Sequence, residues 1–325
     1  MHSIQVGRLS EKARARRPCH LARNGQDARC TIERNGRDAR CTTMKYGMNL
    51  LLWTGHVTSK QFPLFEKLKK VGYDGVEIPV FEGDEKHYAS IKKELDKQGL
   101  KSTTVTVMNE QANPISPDAK IRKAAVERLK RTIDLSNALG AEILAGPVHS
   151  ALGVFSGSGP TSDEKKRAAD VLRQAGEYIG NKGKIRIAIE YLIRFETYLL
   201  NTARDTAAMV KSIDHPAVQM MYDTFHANLE EKDGPKALAE AAKYVIHVHI
   251  SENDRGTPGT GHIQWAETFA QLKRMKYDGW LTIESFGRLL PDLAAATKIW
   301  RDLFPSPEEV YTDGFKFMKK MMGNA

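Results

Sequence analysis

The sequence predicts an α/β protein: a parallel (β/α)8 barrel over residues 44–325, with an additional C-terminal helix and an N-terminal extension expected to be disordered. Three observations lead there. Strand-like and helix-like segments alternate eight times, and eight such units in about 250 residues match the span of this barrel. A length of 325 residues suits one large domain with an appendage, being too long for a small module and short for two enzyme domains. The turn after the first strand (TGHVTSK, 54–60) lacks the glycine-rich phosphate loop that usually opens a doubly wound sheet.

The elements follow in order. Residues 45–53 (KYGMNLLLW) read as a buried strand, and 59–71 as an amphipathic helix with Phe62, Phe65, Leu68 and Val71 near one face. A strand at 75–80 precedes a helix at 87–98, stopped by Gly99. The β-branched run STTVTV marks the third strand at 102–107. Ser116-Pro117 opens a long helix to Leu139, closed by Gly140, and the fourth strand is 141–146. The fourth helix spans 161–180 with Ser162 as its expected N-cap. Strands at 184–190, 218–223, 244–250 and 280–284 complete the set, with helices at 202–213, 236–243, 263–275 and 289–303. A last helix runs from Ser306-Pro307 to Met322. Its Phe315, Phe317, Met318, Met321 and Met322 form a stripe that packs on the body or a partner chain.

Charge separates the extension from the body. The net charge is +9, but residues 1–43 hold ten Lys/Arg against four Asp/Glu, while the remaining 282 hold 39 against 36. The basic balance therefore belongs mostly to the extension and gives the body little footprint for nucleic acid. The extension carries a tandem repeat, ARNGQDARCT at 22–31 and ERNGRDARCT at 33–42. It also holds all three cysteines, Cys19, Cys30 and Cys41, whose equal spacing lacks the close pairs of a zinc motif. Met44 begins the strand pattern and is a candidate physiological start. No apolar run reaches the roughly 18 residues of a membrane span. The cysteine-free body suits a reducing, cytoplasmic setting.

A barrel of this kind builds its active site at the C-terminal ends of the strands. The fifth strand ends in Glu190, the sixth in Asp223, the seventh near His249 and the eighth in Glu284. Their separations of 33, 26 and 35 residues approximate one strand–helix unit each, so four successive units deliver these side chains to one rim. Three converging carboxylates repel one another unless a cation neutralises them. With one imidazole they make a hard, oxygen-rich set suited to one divalent ion, Mn²⁺, Co²⁺ or Mg²⁺. The alternative is a buried His–carboxylate network without metal. His247 and His249 point to the same face of the seventh strand. His249 is placed at the rim and His247 one layer down.

Four segments carry a resemblance: EYLIRFETYLLNT (190–202), MYDTFHANLEE (221–231), HVHISENDR (247–255) and GWLTIESF (279–286). In order and spacing the chain resembles the ketose 3-epimerases, the group of D-tagatose 3-epimerase and D-allulose (D-psicose) 3-epimerase within the xylose-isomerase-like TIM barrel superfamily. The resemblance implies that Glu190, Asp223, His249 and Glu284 ligate a metal, usually Mn²⁺ or Co²⁺. It implies that Glu190 and Glu284 are the acid/base pair, and that Glu196, His226 and Arg255 hold the O1–O2 end of the substrate. The activity implied is C3 epimerisation of a free ketose (D-tagatose, D-fructose, D-allulose or ribulose type) through a cis-enediolate. A homo-oligomer, dimer or tetramer, is implied too, with no nucleic-acid or membrane partner. A related sugar isomerase or a cyclitol dehydratase on the same metal-binding barrel is the alternative.

Departures from the family pattern gather where O4–O6 of a sugar would lie. Val57 stands where the sugar epimerases tend to carry tryptophan, and Ser285 where they commonly carry proline. The Gly/Ser stretch at 155–160 reads equally as a water-excluding lid or a plain surface loop. The glycine-rich 256–261 reads as loop-shaping, with phosphate binding the lesser alternative.

Overall fold

The computed structural model describes residues 44–180 and 184–323. The extension set apart by the sequence lies outside the described residues. The eight strands are β1 (Lys45–Asn49), β2 (Gly75–Pro79), β3 (Lys101–Val105), β4 (Ile143–Gly146), β5 (Arg186–Ile189), β6 (Val218–Asp223), β7 (Val245–Ile250) and β8 (Trp280–Ile283). They pair in parallel in sequence order, and β8 returns to β1, so the barrel is closed. The helices are α1 (Phe62–Val71), α2 (Glu85–Gln98), α3 (Ala119–Leu139), α4 (Ser162–Gly180), α5 (Ala203–Ile213), α6 (Thr224–Glu230), α7 (Gly234–Ala241), α8 (Trp265–Arg274), α9 (Pro291–Thr297) and α10 (Pro307–Met322). Among the described residues no helix is long and apolar enough to cross a membrane.

Local chemistry sets the helix boundaries. Asp84 caps α2 by accepting from the His87 N–H, and Gly99 ends it in the left-handed region. Asp118 caps α3, two residues after the expected Ser116-Pro117 opening, and Gly140 ends it. The cap expected at Ser162 belongs to Thr161, whose Oγ1 accepts from Glu164 N–H while the Glu164 carboxylate accepts from Thr161 N–H. The helix expected over 289–303 is much shorter. Pro291 sets the start of α9, and Lys298, at φ 61°, ends it. The outer helix after β8 is α10, which packs on α8, α1 and β8.

The main apolar core lies between strands and helices and takes in Phe65, Leu68, Ile133, Leu172, Phe269 and Met318. A second cluster, Ile143, Ala145, Ala188, Met221 and Trp280, fills the barrel interior. Trp280 needs room: a Cβ on Gly75 would stand 2.5 Å from its ring and 2.4 Å from the Lys101 carbonyl oxygen. At the opposite end, β4 bends at Gly146 (φ 124°), where a Cβ would lie 2.1 Å from the Thr106 carbonyl oxygen. The Gly146 carbonyl accepts the N–H of Glu190, so this close approach also sets the first rim carboxylate.

Gly146→Ala is expected to lose about 2–4 kcal/mol through backbone overlap and a disfavoured φ. Gly153→Ala, at φ 72° with open space around its Cβ, is expected to lose only about 1 kcal/mol. The urea midpoints of the two variants give the comparison.

Candidate active site

Parallel strands bring four ionisable side chains to one spot. Asp223 ends β6, His249 lies on β7 directly beside it, and Glu190 and Glu284 follow β5 and β8 by one residue. One ligand atom from each of Glu190, Asp223, His249 and Glu284 lies within 4.8 Å of the others, and all four residues are buried. His249 Nδ1 is 3.5 Å from Asp223 Oδ2, 3.4 Å from Glu284 Oε2 and 3.8 Å from Glu190 Oε1. Neither His249 Nδ1 nor Glu190 Oε1 has a hydrogen-bond partner. Buried polar atoms are rarely left so, and two such atoms facing one point fit a cation-binding centre.

The Asp223 carboxylate is oriented before any ligand arrives. Its Oδ1 accepts the Phe225 N–H at 2.6 Å as the cap of α6, a helix the sequence reading did not anticipate. Its Oδ2 accepts from Ser251 Oγ at 3.0 Å and from Arg255 Nη1 at 3.0 Å. The same Nη1 donates to Glu284 Oε2 at 2.9 Å. The Arg255 guanidinium is flanked by the rings of Phe225 and Phe286, with centroids at 3.9 and 4.9 Å. Its backbone holds φ 68°, a conformation costly for a side-chain-bearing residue. His226 lies within reach of both: its Nε2 is 3.1 Å from Arg255 Nη2 and 3.5 Å from Glu190 Oε1. Arg255 and His226 therefore join the four strand-end residues, whereas Glu196 stands half-buried on the segment after β5.

Burial and mutual repulsion shape the charges. Burial and the neighbouring Glu284 charge push the Glu190 carboxyl well above its ordinary pKa. Burial acts the same way on Asp223, but the Arg255 charge and the contact with His249 outweigh it and hold that carboxyl low. Burial lowers His226 to about 3, so its ring is neutral at physiological pH. Burial opposes a charge on His249 as well, yet Glu284 and Glu77 together lift it well above the usual imidazole value. Burial also raises Glu196, against the pull of Arg255.

Two loop stretches singled out by the sequence lie near this centre or beside it in the chain. The stretch at 256–261 wraps around the buried Glu252, whose carboxylate accepts the Gly259 N–H at 2.7 Å and Trp265 Nε1 at 3.0 Å. A carboxylate already occupies the concavity a phosphate would need, so these glycines shape the loop behind Arg255. Phe155, in the stretch at 155–160, is 47% exposed and leans toward Tyr198 with centroids 6.3 Å apart.

Two residues that sequence reasoning did not single out sit beneath the rim. Glu77 on β2 is fully buried, with Oε1 2.7 Å from His249 Nε2 and Oε2 2.9 Å from His247 Nε2. Asn49, the last residue of β1, donates through Nδ2 to Glu77 Oε1 at 3.0 Å and to Glu284 Oε1 at 2.9 Å. The available signal was a glutamate inside the otherwise apolar GVEIP strand. His247 does lie in the interior, as its two-residue offset from His249 implied.

Barrel and rim together define a xylose isomerase-like TIM barrel, and the model of that family matches residues 65–321. A probable ketose 3-epimerase of Synechocystis sp. is 30% identical over 277 residues, covering 85% of this chain and 96% of that protein. The ketose 3-epimerase of Arthrobacter globiformis is 30% identical over 279 residues, with coverages of 85% and 96%. The crystal structure of D-allulose 3-epimerase from Methylomonas sp. in complex with D-allulose superposes with a TM-score of 0.80 at 27% identity, covering 86% of this chain and 98% of that one. The chain belongs to the ketose 3-epimerase family. It is an isomerase-class enzyme.

Arg255→Ala leaves Asp223 and Glu284 buried without their shared partner. In chelator-treated protein it is expected to destabilise the fold by about 3–5 kcal/mol. Arg255→Lys, which keeps a charge but not the fork between two carboxylates, is expected to lose less. Chemical denaturation of both variants in EDTA checks the ranking.

Proposed function

We propose that this enzyme inverts C3 of a free ketose in a divalent-metal-dependent reaction, with Glu190 and Glu284 as its acid/base pair. The observation that carries the reading is the placement of these two carboxylates. They leave β5 and β8, three strands apart around the closed barrel, yet meet at one cation-suited centre. Binding alone needs no such pair, whereas inversion needs one proton-transfer group on each face of a planar intermediate.

Glu190, Asp223, His249 and Glu284 would hold one ion per subunit; three carboxylates with one imidazole favour Mn²⁺, then Co²⁺ or Mg²⁺. When bound, such an ion supplies Lewis acidity at the C2 carbonyl and offsets the charge of a cis-enediolate. The protein does the rest. One glutamate takes the C3 proton, and the other returns a proton to the opposite face. Glu190, held toward its protonated form by burial and by Glu284, suits the delivering role in one direction of a reversible reaction. Arg255 and neutral His226 face the same centre and would donate to oxygen at the O1–O2 end. Glu196 would anchor that end from the segment after β5. The catalytic unit is residues 44–325, and a ketohexose or ketopentose of the D-tagatose, D-fructose, D-allulose or ribulose type is the substrate class.

A homo-oligomer assembled through the catalytic face completes the proposal. The large apolar side chains exposed among the described residues include Phe81, Phe155, Phe195 and Leu289, each on the segment that directly follows a strand, and Trp300, which follows α9. Exposed apolar side chains on the segments after the strands suit a second copy of the chain. Phe195→Lys with Trp300→Lys is expected to lower the molar mass by light scattering to that of a monomer; an unchanged mass would exclude this face.

The activity test is a Mn²⁺-supplemented screen of free ketopentoses and ketohexoses, read by chromatography for C3 epimers. Glu284→Gln is expected to retain the fold and to lose C3 proton exchange with deuterated water by about 10²–10⁴-fold. Products in which the carbonyl has moved from C2 would instead identify an isomerase.

A further inference from the structure

We propose that Glu77 is a positioning residue for the reaction centre: it fixes His249 in the tautomer that presents Nδ1 to the metal, and through Asn49 it orients Glu284. The inference rests on the metal-site reading above and concerns two side chains, on β1 and β2, that touch neither ion nor substrate.

An ion bound at His249 displaces the extra proton that Glu284 and Glu77 favour on the metal-free ring; the neutral imidazole that remains has one N–H and one lone pair, and an ionised carboxylate only accepts. Glu77 Oε1 stands 2.7 Å from His249 Nε2, so the proton lies on Nε2 and the lone pair on Nδ1. The opposite tautomer would set a lone pair against a carboxylate oxygen at that distance. Nδ1 is the nitrogen that faces Asp223, Glu190 and Glu284 and lacks a hydrogen-bond partner. Metal-bound histidines commonly owe their ring orientation and basicity to such a carboxylate behind them.

The carboxylate is itself immobilised. Thr103 Oγ1 donates to Oε2 at 2.9 Å, and Asn49 Nδ2 donates to Oε1 at 3.0 Å. The Asn49 amide cannot turn over freely, because its Oδ1 accepts the Leu51 N–H at 2.9 Å. Its two N–H bonds are thereby directed at Glu77 and at Glu284 Oε1. One amide links the carboxylate behind the histidine to an acid/base glutamate across the barrel interior.

Glu77, His247 and His249 also approach closely enough to suggest a second ion. His249 Nε2 and Glu77 Oε1 share a hydrogen bond at 2.7 Å, whereas His247 Nε2, 2.9 Å from Glu77 Oε2, makes none. An ion held at about 2.1 Å from each donor would force those atoms farther apart, so the proton-sharing arrangement is the better account.

The test uses the full-length protein, stripped with chelator and titrated with Co²⁺, which is followed by visible absorption and by calorimetry. Glu77→Gln keeps the size of the side chain but loses its charge. It is expected to raise the Co²⁺ dissociation constant about 10–100-fold and to alter the ligand-field bands, at a temperature where circular dichroism shows it fully folded. Glu77→Asp withdraws the carboxylate while keeping the charge; it is expected to fall between parent and Gln and serves if the Gln variant does not fold. A merely structural role would lower the melting temperature and leave the affinity of the folded fraction untouched. A folded Gln or Asp variant with Co²⁺ affinity and spectrum equal to the parent would overturn the role of Glu77 alone. A parent protein that takes up no Co²⁺ would overturn the metal reading and this inference together.

Discussion

Everything at the rim depends on one electrostatic constraint. Three buried carboxylates converge within a few ångströms, and like charges so placed cannot all remain ionised without a cation among them. Arg255 meets part of the demand, spanning Asp223 and Glu284 with a single nitrogen. Glu190 is left over, and its raised pKa is the sign of a charge the protein alone does not balance. A divalent ion and a proton are the two natural remedies.

The barrel makes this crowding tolerable because it supplies rigidity from every side. Each rim residue is rooted in a strand hydrogen-bonded on both edges, and the interior beneath is filled by Trp280, Met221 and Ile143. Strand pairing places Asp223 beside His249 and His249 beside Thr282, so the four-residue cluster is fixed by register more than by loop conformation. His226 stands on α6 and Arg255 on a loop. That loop is organised around the buried Glu252, and α10 holds it from outside: Thr257 donates to Glu309, and Phe317 crowds Gly259. The last helix, remote from the chemistry in sequence, thus helps to hold the arginine.

The alternation of strands and helices was legible because most strands are short apolar or β-branched runs and because α2 and α3 close on Gly99 and Gly140. Glu190, Asp223, His249 and Glu284 were legible because one strand–helix unit separates each from the next, a spacing that reports phase around a barrel. Asn49 and Glu77 were not. They point inward from β1 and β2 rather than ending the later strands in phase, and only the closed barrel shows that β2 faces β7 across the interior at the level of His249. The helix expected over 289–303 was misjudged because its apolar residues follow helical spacing while Pro291 and Lys298 confine the helical backbone. Periodicity records which face is buried and is blind to where a backbone breaks.

The two halves of the barrel differ in what they contribute. β5 to β8 end in the groups that converge on the cation-suited centre, whereas β1 to β3 contribute Asn49, Glu77 and Thr103, which hold those groups from behind. The division has a physical reason. A rim carboxylate that faces the cation-suited centre is left partly unsatisfied, as Glu190 Oε1 is, while a side chain is fixed only by neighbours that are fully satisfied. Putting both functions on the same strands would set an unpaired oxygen beside each paired one in the same cramped volume. Placing the satisfied network across the interior separates them, and a single asparagine amide carries the constraint from one half to the other.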